Sequence, residues 1–227
     1  MTAVGAMTHQ AIDPPVWSVP REWPTGTRCF VLCGWDSVRA QMAVIPTLQG
    51  RFVTVKEGVL LRPDSDCLML GGERTDTLAK PLIPRFTGKY MVVRQKFPVS
   101  LPPEVKRVTR TKIHTALCDL PTHVAGYDNG TSAINMAYHF GATEIVLIGY
   151  DMTGGRWFHG MAGFFPKHPE RTWQHPLPVI PEDHFRAHMQ PLPAFAKDAE
   201  RKGIKIWNTS PISRVTCFEY RDLETFL

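Results

Sequence analysis

GYDNGTSAINMAYHFGATEIVLIGYDMTGGRWFHG, residues 126–160, decides how the rest of this chain is read. Asp128 or Asn129 can cap a helix here, because a short side-chain oxygen accepts a hydrogen bond from the unpaired amides of a first turn. Ala133, Met136, Ala137 and Phe140 then recur at helical spacing and form one apolar face. Gly141 supplies the left-handed residue that ends the helix. Residues 144–149, EIVLIG, are apolar almost throughout, the pattern of a parallel strand covered on both faces. Tyr150, Asp151, Thr153, Arg156 and His159 follow. Ligands in open α/β sheets collect at the carboxyl ends of strands, so these polar residues mark a binding edge.

Outward from this unit the chain alternates in the same way. Toward the N-terminus, strands are expected at 28–33, Arg51–Val55, Cys67–Leu70 and Tyr90–Val93. A helix from Asp36 to near Ile45 is broken by Pro46, and 75–82 makes at best a short helix. Residues 96–125 read as irregular, with Pro98, Pro102, Pro103 and Pro121 as breakers. On the other side, 152–181 form a long loop rich in Gly, Pro, His and aromatics, of the kind that serves as an active-site loop. Residues 182–202 are the longest helical stretch, interrupted by Pro191 and Pro193 and stopped by Gly203, and 204–207 read as the last strand. Strands separated by helices predict an α/β fold: one Rossmann-like domain over 26–227 with a mostly parallel sheet. Residues 1–25 form an extended Pro-rich N-terminal arm, which Trp17 and Trp23 would pin to the body.

At 227 residues the chain can bury one good core. Its five cysteines are an odd number without a C-x-x-C pair and lie mostly in apolar runs, so reduced thiols in a cytoplasmic protein are expected. No stretch reads as a signal peptide or approaches the roughly 20 apolar residues that span a bilayer. The net charge of +5 suits phosphate-bearing partners, and its densest run is KRVTRTK at 106–112.

Several clusters carry candidate chemistry. Five of the nine histidines, His159, His168, His175, His184 and His188, fall in or just after the long loop. Imidazole titrates in the range needed to take a proton from a hydroxyl. His184 and His188 sit at metal-pair spacing, but Phe185 stands where a zincin has glutamate. Asp64-Ser65-Asp66 spells a metal-binding D-x-D, yet it precedes a strand instead of following one, which puts it at the wrong edge. The expectation is therefore no obligatory divalent metal and no other cofactor. Gly34, Asp36 and Ser37 link the first strand to its helix, where an anion could sit or Asp36 could simply cap. Gly71-Gly72-Glu73-Arg74 and Asn208-Thr209-Ser210 also follow strands and add glycines, a guanidinium and small polar groups to that edge.

The segment resembles phage and bacterial glycosyltransferase-like proteins related to the bacterial sialyltransferases, and the archaeal pterin-pyrophosphokinase-like group. Their pattern, N-S-G-x-x-A-I-N-L-A-x-x-L-G-A-x-x-I-x-L-x-G-x-D, appears here as Asp128, Asn129, Gly130, Ala133, Ile134, Asn135, Met136, Ala137, Phe140, Gly141, Ala142, Ile145, Leu147, Gly149 and Asp151. Residues 29–37 and 204–218 are weaker echoes of the family's first strand and closing strand. Two departures stand out: only Gly34 remains of a glycine-rich first loop, and Lys56 follows the second strand where the family often has Asn. The resemblance implies transfer of a sugar from a nucleotide-sugar donor to a hydroxyl. Gly34, Asp36, Ser37, Asn129, Gly130, Ser132, Thr153 and Arg156 would bind the donor. Asp151 and His159 would be catalytic, with His159 as base and His175 or His184 as alternatives. Because such proteins are frequent in phages, the expected acceptor is hydroxymethylated pyrimidine in double-stranded DNA. Lys106, Arg107, Arg110 and Lys112 would grip phosphates on one side and Arg156, Lys167 and Arg171 on the other. The rivals are a cell-surface glycan acceptor, pyrophosphoryl transfer to a pterin-like alcohol, and a non-catalytic nucleic-acid-binding module.

Overall fold

The structure, a computed structural model, describes residues 15–71, 82–94, 101–153 and 185–227. The expected helix at 75–82 and the loop residues Arg156, His159, Lys167, Arg171, His168, His175 and His184 lie outside these apart from Leu82, as do Gly72, Glu73, Arg74 and residues 1–14. The described strands are β1 (Arg28–Leu32), β2 (Arg51–Val55), β3 (Cys67–Leu70), β4 (Tyr90–Val93), β5 (Lys106–Arg107), β6 (Thr109–Arg110), β7 (His123–Val124), β8 (Glu144–Ile148), β9 (Lys205–Asn208) and β10 (Glu219–Tyr220). The helices are α1 (Val38–Gln41), α2 (Asn129–Phe140), α3 (Arg186–Met189) and α4 (Leu192–Arg201).

One parallel sheet runs β10-β9-β8-β1-β2-β3-β4-β5, and β6 and β7 pair separately, also in parallel. This is the α/β, Rossmann-like sheet the alternation predicts. Both faces are covered, which is why its central strands are apolar without a polar alternate. Cys29, Val31, Val53, Met69, Ile145 and Leu147 face α2, through Ala133, Ile134, Met136, Ala137 and Phe140. Phe30, Leu32, Phe52, Val146 and Ile148 face the other way, onto Val38, Ile45, Leu48 and Phe226. Among the described residues no helix is long and apolar enough to cross a membrane.

The N-terminal arm is tied down where its tryptophans sit. Trp17 donates its amide to the Arg107 carbonyl at 2.6 Å and Trp23 to the Phe140 carbonyl at 2.8 Å. Trp23 stacks on Phe140 with centroids 4.7 Å apart, and Trp17 lies 4.9 Å from Tyr90.

Several elements differ from the sequence expectation. The helix after Asp36 is one turn, α1, followed by a 3-10 turn at Ile45–Thr47 that holds Pro46. The stretch 182–202 splits, because Pro191 and Pro193 suit a helix start and not an interior: α4 begins at Leu192, with Pro193 in its first turn. Residues 96–125 are not wholly irregular, since β5, β6 and β7 lie there. Nor is β9 the last strand; β10 extends the sheet beyond it. Two-residue strands carry no period, so their place comes from tertiary pairing alone. Asp66 turns the chain at the amino edge, as expected, with its carboxylate accepting the Phe52 amide at 2.9 Å and pairing with Arg51.

Candidate functional site

A parallel sheet opens all its carboxyl ends on one edge, and here the order in which strands are added reverses between β1 and β8. Ligands in such sheets bind outside the carboxyl ends at a switch point of this kind. Gly149, after β8, has φ +67, and a Cβ on it would fall 2.3 Å from Val38 Cγ2, so only glycine lets α1 pack this closely. Asp151 then points back to the β1 loop. Its Oδ2 accepts the Ser37 amide at 2.9 Å and its Oδ1 accepts the Ser37 hydroxyl at 2.5 Å. Burial raises its pKa above the usual 3.8, against the lowering effect of Ser210 and Ser37. The Ser210 hydroxyl is near this carboxylate but forms no hydrogen bond of good geometry. Met152, the next residue, is held at φ 51, and Lys56 at the end of β2 at φ 48. Such left-handed non-glycine residues cost energy and concentrate at functional edges.

The second part of the edge is the N-terminus of α2. Asp128 caps it, with Oδ1 accepting the Thr131 amide at 2.9 Å and Oδ2 accepting the Thr131 and Tyr150 hydroxyls at 2.5 and 3.1 Å. Gly130 is needed because a Cβ there would meet the Tyr150 ring at 2.4 Å. Replacing Asp128 by Ala should cost about 0.5–2 kcal/mol of stability, measured by chemical denaturation. No loss would mean the cap is idle.

Beside this cap lies Arg94, directly after β4 and only 5% exposed. Its Nη1 donates to the Asp128 carbonyl at 3.2 Å and to the Ser132 hydroxyl at 3.0 Å, while its Nε has no partner among the described residues. Burial lowers its pKa to about 10; Asp128 opposes that shift and Arg110 adds to it. Asn129 donates Nδ2 to the Gly71 carbonyl at 3.1 Å, and its buried Oδ1 is also unpaired among the described residues. Both unpaired atoms press against the Cα of Gly71, where a Cβ would sit 2.4 Å from Asn129 Oδ1 and 2.9 Å from Arg94 Nε.

A row of rings runs along the same edge. Trp35 meets Phe185 (centroids 5.1 Å), Phe185 meets His188 (5.5 Å), His188 meets Tyr127 (4.7 Å) and Tyr127 meets His114 (5.3 Å). Tyr127 is 40% exposed, and the Arg110 guanidinium is 5.9 Å from its ring centroid. Burial and then Arg110 lower the His114 pKa, partly offset by a hydrogen bond with the Gly126 carbonyl. His114 is therefore neutral at neutral pH.

Of the residues singled out in the sequence, Gly34, Ser37 and Asp151 meet at the β1 and β8 ends, while Asn129, Gly130 and Ser132 meet at the start of α2. Asp36 is exposed and pairs with Arg39 at 3.5 Å; its side chain does not cap α1. Thr153 is half-buried beyond Met152. Arg110 reaches the ring row, whereas Lys106 and Arg107 lie in the edge strand β5 and Lys112 is exposed. Arg94, Tyr127 and His114 were missed. The only signal for Arg94 was its place directly after YMVV.

No model of a known protein family matches the chain, and neither does any curated protein.

Proposed function

We propose that this protein transfers a sugar from a nucleotide-sugar donor to a hydroxyl acceptor, with the donor lying along the carboxyl edge. The observation that carries this reading is the pairing of a half-exposed ring, Tyr127, with the capped N-terminus of a twelve-residue helix two residues further on. A nucleotide needs such a pair: a flat apolar face for its base, and amides that favour negative charge for its phosphate. In transfer, the acceptor hydroxyl attacks the anomeric carbon and gives up its proton, and the bond to the donor phosphate breaks. Negative charge grows on the departing phosphate, where fixed donors stabilise it most. Asp151 acts as a positioning residue, holding the β1 loop through Ser37. His159 is the proposed base.

The proposed acceptor is hydroxymethylated pyrimidine in DNA. In support, Arg110 stands at the ring row, and exposed Lys112 extends positive charge away from it. Thermal-shift titration with UDP-, GDP- and CMP-linked sugars tests the donor. One base should raise the melting temperature by roughly 5–10 °C at a donor concentration about a hundred times its Kd. Transfer to hydroxymethylated duplex DNA should fall steeply with salt. Equal indifference to all three donors contradicts the transfer reading, and transfer to a free saccharide alone moves the acceptor to a glycan.

A further inference from the structure

Arg94 is a buried cation that meets no carboxylate among the described residues. Asp128, the acid beside it, turns both carboxylate oxygens toward Thr131 and Tyr150, and offers Arg94 only its backbone carbonyl. A charge removed from water without a counter-ion is costly. The protein has set this one against the first turn of α2, whose Asn129 and Gly130 amides make no hydrogen bond to the described residues. The Nε proton of Arg94 is also unused among them. A guanidinium, free helix amides and a nearby second arginine, Arg110, all favour the same kind of partner.

We infer that Arg94 and the first turn of α2 form a built binding site for a phosphoryl group, with the Arg94 guanidinium as its anchor. The identity of the ligand rests on the nucleotide-donor reading: the phosphate is that of a nucleotide, not of a nucleic-acid backbone. The reason is burial, since a 5% exposed guanidinium can receive the end of a small molecule but not the side of a duplex. Asn129 fixes the site by its bond to Gly71. Any larger residue at position 71 would drive its Cβ into both Asn129 and Arg94.

The test is calorimetric titration of the full chain with inorganic pyrophosphate and with UDP, at matched ionic strength. Arg94→Met and Arg94→Lys are titrated alongside the wild type. The expected result is binding by the wild type, loss of about tenfold or more in affinity for Arg94→Lys, and no detectable binding for Arg94→Met. Without ligand, Arg94→Met should melt close to the wild type, because removing a buried charge without a counter-ion offsets the two Nη1 hydrogen bonds it loses. If Arg94→Met fails to fold, Arg94→Lys keeps the charge and decides the matter through its affinity. Equal pyrophosphate affinity in wild type and Arg94→Lys overturns the site. So does binding to duplex oligonucleotide without binding to pyrophosphate or UDP. Arg94-dependent pyrophosphate binding with no response to any nucleotide sugar upholds the site and removes only the transfer reading.

Discussion

Replacing Phe140 by Ala is expected to cost about 3–5 kcal/mol of stability, the range for a fully buried aromatic side chain. For a chain of this size that lowers the melting temperature by roughly 6–20 °C. Phe140 is 0% exposed, stacks on Trp23 at 4.7 Å and lies 5.6 Å from Tyr90 and 6.3 Å from Trp17. The cavity would open between α2, β4 and the N-terminal arm, and none of these can close it without moving the others. The loss should therefore appear twice, in global denaturation and in faster proteolysis near Trp17. A melting temperature within about 2 °C of wild type, less than 1 kcal/mol at this size, would show that the aromatic cluster does not hold the arm.

Replacing Asp151 by Ala should cost about 1–3 kcal/mol for each of the two Ser37 donors left unpaired. It should also release the β1 loop that carries Gly34 and Trp35. Asp151→Asn is the sharper probe. Burial raises the Asp151 pKa in the folded chain above 3.8, so folding favours the protonated carboxyl. That stabilising contribution is complete below pH 3.8 and is lost as pH rises through the folded value. Asparagine is isosteric, keeps an acceptor for Ser37 and does not titrate. The Asn variant should therefore lack this component of the stability curve between pH 3.8 and neutrality. An identical pH profile in both proteins would mean that Asp151 titrates as it does in the unfolded chain.

What the sequence made legible follows from periodicity. The capped helix, the stop at Gly141 and the buried strand after it all carry local signals, and they stand where expected: Asp128 is the cap, Gly141 has φ +114, and β8 is buried. Asn135, part of the family-like pattern, proves to be a clamp. Its Oδ1 accepts the amides of Cys118 and Ala125 at 2.8 and 2.9 Å, which fastens an otherwise weakly structured segment to α2. Legibility ended where contacts span the sheet. Arg94 and Asn129 are 35 residues apart in number; the parallel pairing of β3 with β4 sets Arg94 beside Gly71, and the packing of α2 on the sheet brings Asn129 to the same glycine. The ring row joins Trp35, Tyr127 and Phe185 from three separate loops, so no spacing rule could assemble it.

The proposed place for a nucleotide-linked sugar is the carboxyl edge between the β1 loop and the start of α2. Amide hydrogen exchange of the full chain, with and without UDP-, GDP- and CMP-linked sugars, tests it most directly. One of the three should slow exchange at 34–37 and 127–132 and leave the amino edge around Asp66 unchanged. Protection confined to the amino edge, or none with any of the three donors, would contradict it.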